Sequence, residues 1–409
     1  MEQFVIDQIT SGLKYLPANL VKSFFIPDSS AQTEKMRENF ICGVCHPHGD
    51  MKKITDANIE WIRTDIPFPF ENDGSISQSY TEYKNRCLEF KTNGIKVMAV
   101  TPYPKHYIEH DADIREKDGE NKVREIARFM IRDLQGVVAG LQITNEMGMP
   151  RFTKPLEMKD AARFIGVQLK EMYYLRGDIV IGYNSAGPQA DLHALMKPYY
   201  KYCDYVGIDI YLGCFYGVPG LMCIFDALVR FLWAMTGKPI LLQEFGYISG
   251  GHTKTRKQRN ELLQRYGAKN RKDAKTNIEK FVDSLPKTLS EHTKYICDED
   301  KERYYNFLFR SDMRDHLYSE LQRITKIPGY DHTPEGQGKF YDDIIERLYN
   351  LKYVAGMIIY CYQDSDTCYV CGQADCPVET KWGLVDAQGN PKPSYYAVQR
   401  GFGKIKGDK

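Results

Sequence analysis

Two glutamates stand at the ends of short apolar runs. Glu146 lies in LQITNEM, residues 141–147, where an apolar-alternating stretch runs into Asn145 and Glu146. Glu244 lies about a hundred residues later in KPILLQEFGY, where Pro239 to Leu242 lead into it. A polar residue directly after a short apolar run reads as the mouth of a buried strand rather than its middle. Two carboxylates at the C-terminal ends of strands suit acid/base or nucleophilic chemistry on a sugar, where one protonates a leaving oxygen and the other, ionised, attacks.

Such a pair needs a scaffold that brings distant strand ends together. Short apolar runs recur at Phe40–Cys45, Trp61–Ile66, Ile95–Val100, the run ending at Asn145, Ile179–Tyr183, Tyr205–Tyr211, Pro239–Glu244 and Val354–Tyr360. Helical spacing separates them over 54–59, 80–93, 121–133, 158–175, 192–202 and 221–235, and a closing helix spans Pro393–Arg400. Eight strands alternating with helices predict an α/β fold, a (β/α)8 TIM barrel over residues 39–402. An open doubly wound sheet is the fallback, but the Gly-rich phosphate turn expected after its first strand is missing. Residues 1–38 read as a helical lead-in broken at Pro17 and Pro27. The spacing fails once, over 248–350, where about a hundred residues replace one helix and its loops. This insertion opens with the basic GGHTKTRKQRN and carries helical stretches at Asn277–Ser284 and Tyr304–Ile324. Leaving beside Glu244, it is either a lid or cleft wall or a solvated helical decoration.

The combination of NE after the fourth strand, QEFG after the seventh, WIRTD at the second and the ending WGLVDAQGNPKPSYYAVQ resembles clan GH-A of the glycoside hydrolases. The likeness covers residues 39–247 and 352–402. It implies a retaining β-glycosidase with Glu146 as acid/base, Glu244 as nucleophile and Asn145 on the sugar 2-hydroxyl. Retention asks for carboxyls about 5 to 5.5 Å apart. Glu244 must stay charged, and Arg63 and Tyr211 are the candidates to hold it so. Glu146 must be protonated at rest, which low solvation and repulsion from Glu244 favour. His46, His48, Asp65, Tyr103, Asn184, Tyr362, Gln363 and Trp382, at or near other strand ends, complete the candidate substrate contacts. Relatives commonly end the eighth strand with a Trp as the floor of the sugar site. Here the chain reads IIYCYQDSD, so Tyr360, Tyr362 or Gln363 must serve.

Two other chemistries compete. His46 and His48 form an HPH at the first strand end, as in metal-dependent barrel hydrolases, but the Lys and His expected on later strands are replaced by Asn145, Glu146, Asn184 and Asp209 or Tyr211. A catalytically idle barrel that binds a glycan or a partner protein is the other alternative. CGVCH, Cys42 to His46, matches a haem-attachment string inside a core strand and reads as coincidence. Cys361, Cys368, Cys371 and Cys376 offer four thiolates for a structural zinc, or are free thiols on a loop. No other cofactor is expected.

Composition sets the remaining bounds. With 55 basic and 54 acidic residues there is no global charge case for nucleic acid or membrane, and the partner that the resemblance implies is a carbohydrate substrate. The start MEQFVIDQIT has acidic residues where an export signal needs a basic region, and eleven scattered Cys favour reduced thiols, so a cytoplasmic protein acting on short imported glycosides is expected. The apolar segment Leu221–Met235 carries Asp226 and Arg230 and is too short to span a bilayer. The sugar and the oligomeric state are not readable.

Overall fold

The computed structural model describes residues 3–47, 50–214, 221–321 and 326–407. Eight parallel strands close into a barrel in sequence order: β1 Ile41–Cys45, β2 Trp61–Asp65, β3 Lys96–Val100, β4 Gly140–Ile143, β5 Val180–Ala186, β6 Tyr205–Ile210, β7 Ile240–Phe245 and β8 Val354–Ile359. Strands covered on both faces need apolar residues at nearly every position. That is why they read as unbroken runs, and β1, β4, β6, β7 and β8 are buried along their whole length. The polar residues among them, Arg63, Gln142, Asn184, Asp209 and Gln243, are buried too. Their partners lie inside the barrel too: Arg63 donates to Gln142, Asn184 to Asp209, and Gln243 to the Tyr205 hydroxyl.

The surrounding helices bury one stripe each. Lys117–Asp133 turns Val123, Ile126, Ala127 and Met130 inward at helical spacing. Gln78–Thr92 starts where the Ser77 hydroxyl accepts from the Tyr80 N–H. It stops at Gly94, which takes a left-handed φ of 76°. In the apolar segment the helix is Met222–Thr236, and Asp226 is paired with Arg347. Among the described residues no helix is long and apolar enough to cross a membrane.

The lead-in differs from expectation. Helix Gln3–Phe25 runs through Pro17 and ends only before Pro27. Proline removes the bond to the carbonyl four residues back, here that of Leu13. Leu13 is exposed, so water can take its place. Gln3–Phe25 packs against Met222–Thr236, where Arg230 donates to the Ser23 carbonyl at 2.7 Å and Trp233 to that of Pro27 at 3.2 Å.

Between β7 and β8 the chain builds a second layer. Helices Arg256–Arg265, Arg271–Thr276, Ile278–Asp283, Lys287–Ile296, Lys301–Arg310 and Met313–Tyr318 enclose their own core of Leu263, Val282, Leu289, Leu308 and Leu317. The loop after β8 joins this core through Cys368, Val370, Cys371, Cys376 and Val378. The single helix expected over Tyr304–Ile324 is instead two helices. Ser311 is extended because its hydroxyl donates to the Phe307 carbonyl at 2.5 Å and accepts from the Met313 N–H at 3.1 Å, a local alternative to helical bonding. Residues 322–325 lie outside the described residues. Helix Pro334–Tyr349 packs on β8 and on the closing helix Pro393–Gly407, as a barrel helix does.

Candidate functional site

β2 and β7 are not neighbours in the barrel, yet Arg63 of β2 reaches Glu244 of β7. The contact therefore crosses the barrel mouth. Arg63 Nη1 donates to Glu244 Oε1 at 2.6 Å, with both side chains at least nine-tenths buried. The rest of the guanidinium is spoken for: Nε donates to Gln142 Oε1 at 2.9 Å and Nη2 to Asn145 Oδ1 at 2.6 Å. A planar fork held at three points cannot swing away from the carboxylate it faces. On the other side of that carboxylate the Tyr211 hydroxyl donates to Oε2. Burial first, and then the charge of Glu244, raise the Tyr211 phenol well above its ordinary value, so it remains a donor.

Asn145 follows β4, and its Oδ1 accepts from Arg63, from Gln142 at 3.1 Å and from Asn184 at 2.7 Å. That triple anchor turns its amide nitrogen toward Glu244 Oε1, 3.5 Å away. Asn184 in turn accepts the Glu146 N–H at 2.9 Å and donates to Asp209 Oδ2 at 2.7 Å. Thr144 and Glu146 both take left-handed φ values, 55° and 46°, which side chains rarely adopt. Backbone held in such conformations is over-determined by its surroundings, here by Asn184 and by Thr101, whose hydroxyl takes the Thr144 N–H at 3.0 Å.

The two glutamates share one cavity but not one environment. Burial, and then the charge of Glu244, push the Glu146 carboxyl up to about 8, against the pull of Arg151 and Arg63. Arg151 Nη2 lies 3.9 Å from Glu146 Oε2. Asp209 is also held well above the carboxylate range, first by burial and then by Glu244 and Glu146. The arrangement offers one carboxyl kept protonated near neutral pH beside another saturated with donors.

The cavity has a volume of about 740 Å³. It gathers Glu146 and Glu244 with Asn145, Arg63, Tyr211, His46, Asp65, Tyr103 and Trp382 from the expected set. Tyr103 stacks on Phe152 with centroids 5.2 Å apart. Tyr360, at the end of β8, and Trp382 close the base beside Tyr211, their rings 5.9 Å apart. Three expected contacts lie outside this lining. Asn184 is behind the glutamates as a support. Tyr362 is buried in the core, its N–H bonded to the Cys45 carbonyl at 3.1 Å. Gln363 turns outward to donate to the Ala387 carbonyl at 2.8 Å. After Tyr360 the chain bridges through Gln363 to Val385, outside the barrel strands, and neither Tyr362 nor Gln363 reaches the cavity lining. His48 lies outside the described residues.

Other lining residues escaped sequence reasoning. Arg151 and Phe152 follow β4, and Arg303, Arg310, Asp312, Met313 and His316 come from the insertion. Gln142 and Asp209 had a visible signal, a lone polar residue within an apolar strand.

The cysteine set also needs correction. Cys368, Cys371 and Cys376 do lie together, but the fourth member is His316, not Cys361. The Cys361 thiol donates to the Gln363 carbonyl at 3.3 Å and packs in the barrel core. Cys42 and Cys45 are buried in β1.

No protein-family model matches this chain, and no curated protein sequence matches it. Solved structures do. A GH2 beta-galacturonidase from Eisenbergiella tayi bound to galacturonate superposes with a TM-score of 0.50 at 15% identity, over 89% of this chain and 51% of that one. The GH53 catalytic domain of Ignisphaera aggregans gives 0.53 at 16%, over 89% and 96%. A beta-D-glucuronidase from Dictyoglomus thermophilum gives 0.51 at 14%, over 89% and 50%. The chain spans about half the length of the first and third. At these identities the likeness is one of fold, a (β/α)8 barrel shared with glycoside hydrolases.

Proposed function

We propose that this chain is a retaining β-glycosidase acting on short β-linked saccharides or glycosides. The observation that carries the reading is the contrast between Glu146, raised to about 8, and Glu244, clamped by Arg63 and Tyr211 in the same cavity. In the first step Glu146 gives its proton to the leaving oxygen while Glu244 attacks the anomeric carbon. Departure of the leaving group removes the negative charge of Glu244 into an ester, and Glu146, now ionised, takes a proton from water as that water attacks the same carbon. The ester bond breaks, Glu244 recovers its charge and Glu146 its proton.

Arg63 and Tyr211 stabilise the carboxylate before attack and again as it leaves. Asn145, aligned by three bonds, is placed to meet the sugar 2-hydroxyl. Tyr360 offers an apolar face for the ring, with the buried Trp382 packed against it. His46, Asp65 and Tyr103 are proposed as further contacts, as is His48. A cavity of about 740 Å³ suits a short substrate. The lining carries Arg151, Arg303 and Arg310 together with Asp65, Asp312 and Glu379, a mixture that favours neither neutral nor acidic sugars. The beta-galacturonidase and beta-D-glucuronidase among the structural neighbours put acidic sugars on the test panel. Among the described residues no two cysteines are joined by a disulfide, which supports a reducing cytoplasm as the place of action.

The test is a panel of aryl β-glycosides, neutral and uronic, with the anomeric configuration of the first-formed product followed by NMR. A β product supports the reading. An α product, or silence of the whole panel together with binding of a glycan, would replace it with an inverting enzyme or an idle binding barrel.

A further inference from the structure

Helix Met313–Tyr318 of the insertion and the loop after β8 meet at four side chains. The donor atoms of His316, Cys368, Cys371 and Cys376 all lie within 4.8 Å of one another, and all four residues are buried. His316 Nδ1 is 3.3 Å from Cys368 Sγ. A tetrahedral zinc with bonds of about 2.3 Å to sulfur and about 2.0 to 2.1 Å to nitrogen sets its ligands roughly 3.5 to 3.8 Å apart, so the cluster needs little adjustment to close on an ion.

The backbone is arranged for the same purpose. Cys368 and Cys371 are separated by two residues and followed by Gly372, whose φ of 68° lets the chain turn back. Gly372 N–H donates to the Cys368 carbonyl at 2.7 Å, Cys368 N–H to the Gln373 carbonyl at 3.1 Å, and the Gln373 N–H to the Cys371 sulfur. This tight turn presents two sulfurs to one point, and Cys376 and His316 supply the other two corners.

We infer that His316, Cys368, Cys371 and Cys376 bind a structural zinc ion that fastens the insertion to the barrel. Three thiolates and an imidazole fill a tetrahedron and leave no open position, so the ion takes no part in catalysis. The thiol protons leave as it binds. Its role is positional. Asp312, Met313 and His316 on one side of the cluster, and Tyr369, Val378 and Glu379 on the other, line the same cavity wall. Glu379 lines the same cavity, and its carboxylate accepts from the Tyr360 hydroxyl at 3.0 Å. The ion thus sits one layer behind the base of the cavity.

The experiment reads metal, not turnover, so its outcome is independent of whether the chain proves to be a glycosidase. The full chain is purified in reducing buffer without chelator and its metals are counted by mass spectrometry. Stripped protein is then titrated with Co²⁺ and followed by the thiolate charge-transfer and tetrahedral ligand-field bands. The expected result is one zinc per chain, a tetrahedral cobalt spectrum, and at least about tenfold weaker binding in His316→Ala and Cys371→Ser. Cys361→Ser should keep the metal. Stripped wild-type protein that gives no tetrahedral cobalt spectrum would overturn the inference even if the variants fail to fold. So would metal kept by His316→Ala and lost by Cys361→Ser, or a disulfide between two of the three loop cysteines in freshly isolated protein.

Discussion

The two sides of the cavity are built differently. On the barrel side Arg63, Asn145, Tyr211 and Glu244 sit on or just past the strands, and every polar group leans on another across the mouth. On the insertion side Arg303, Arg310, Asp312 and His316 come from short helices with a core of their own. Strand register fixes the first set to within the tolerance that bond-making requires. The second set is held by the insertion's own core and not by strand register. On the proposed reading, chemistry belongs to the strands, and choice of substrate to the insertion.

Substitutions should divide along the same line. Glu244→Gln keeps the shape but removes the attacking charge, and kcat should fall by roughly 10⁴-fold or more on every substrate. A loss below about tenfold would place the chemistry elsewhere. Glu146→Gln should cost about 10² to 10⁴-fold on poor leaving groups and far less on activated aryl glycosides, which need no proton. A uniform loss across leaving groups would break the assignment. Arg63→Met strands a buried carboxylate, and urea unfolding should show a loss of about 3 to 5 kcal/mol. Arg303→Ala and Arg310→Ala should change KM by a few-fold, with kcat on activated substrates nearly unchanged. Equal falls in kcat would mean that the insertion takes part in the chemistry.

The titration of Glu146 gives a further division. Its folded value of about 8 exceeds the ordinary 4.5, so between these values the folded state holds a proton that the unfolded state has lost. Stability from this group is full below about 4.5 and declines as pH rises toward 8. Activity should fall over the upper part of the same range, because the acid must be protonated. Glu146→Gln should flatten both responses, measured by thermal unfolding and by the alkaline limb of kcat/KM.

The same contrast explains what could be read from the sequence. Parallel strands buried on both faces leave an apolar run, and the residue that ends the run stands at the mouth, which is how Glu146 and Glu244 were visible; Arg63, in the middle of β2, was legible through the resemblance of WIRTD. Asn184 was visible as a strand residue, but its support of the Glu146 backbone depends on a left-handed turn that the letters do not display. Tyr362 and Gln363 misled because the chain after β8 packs Tyr362 into the core and bridges Gln363 to Val385 instead of lining the cavity. His316 lies 52 residues before its nearest sulfur partner. Only the packing of the insertion against the loop after β8 brings them together, whereas Cys361 looked plausible through closeness in sequence alone.

The most direct measurement is azide rescue of Glu244→Ala on the best substrate of the panel. If Glu244 is the nucleophile, the variant is inactive without azide and, with it, releases a glycosyl azide whose anomeric configuration is inverted relative to the substrate. Wild-type turnover in Glu244→Ala without azide would contradict the account, because the bond to the anomeric carbon would then be made by some other group.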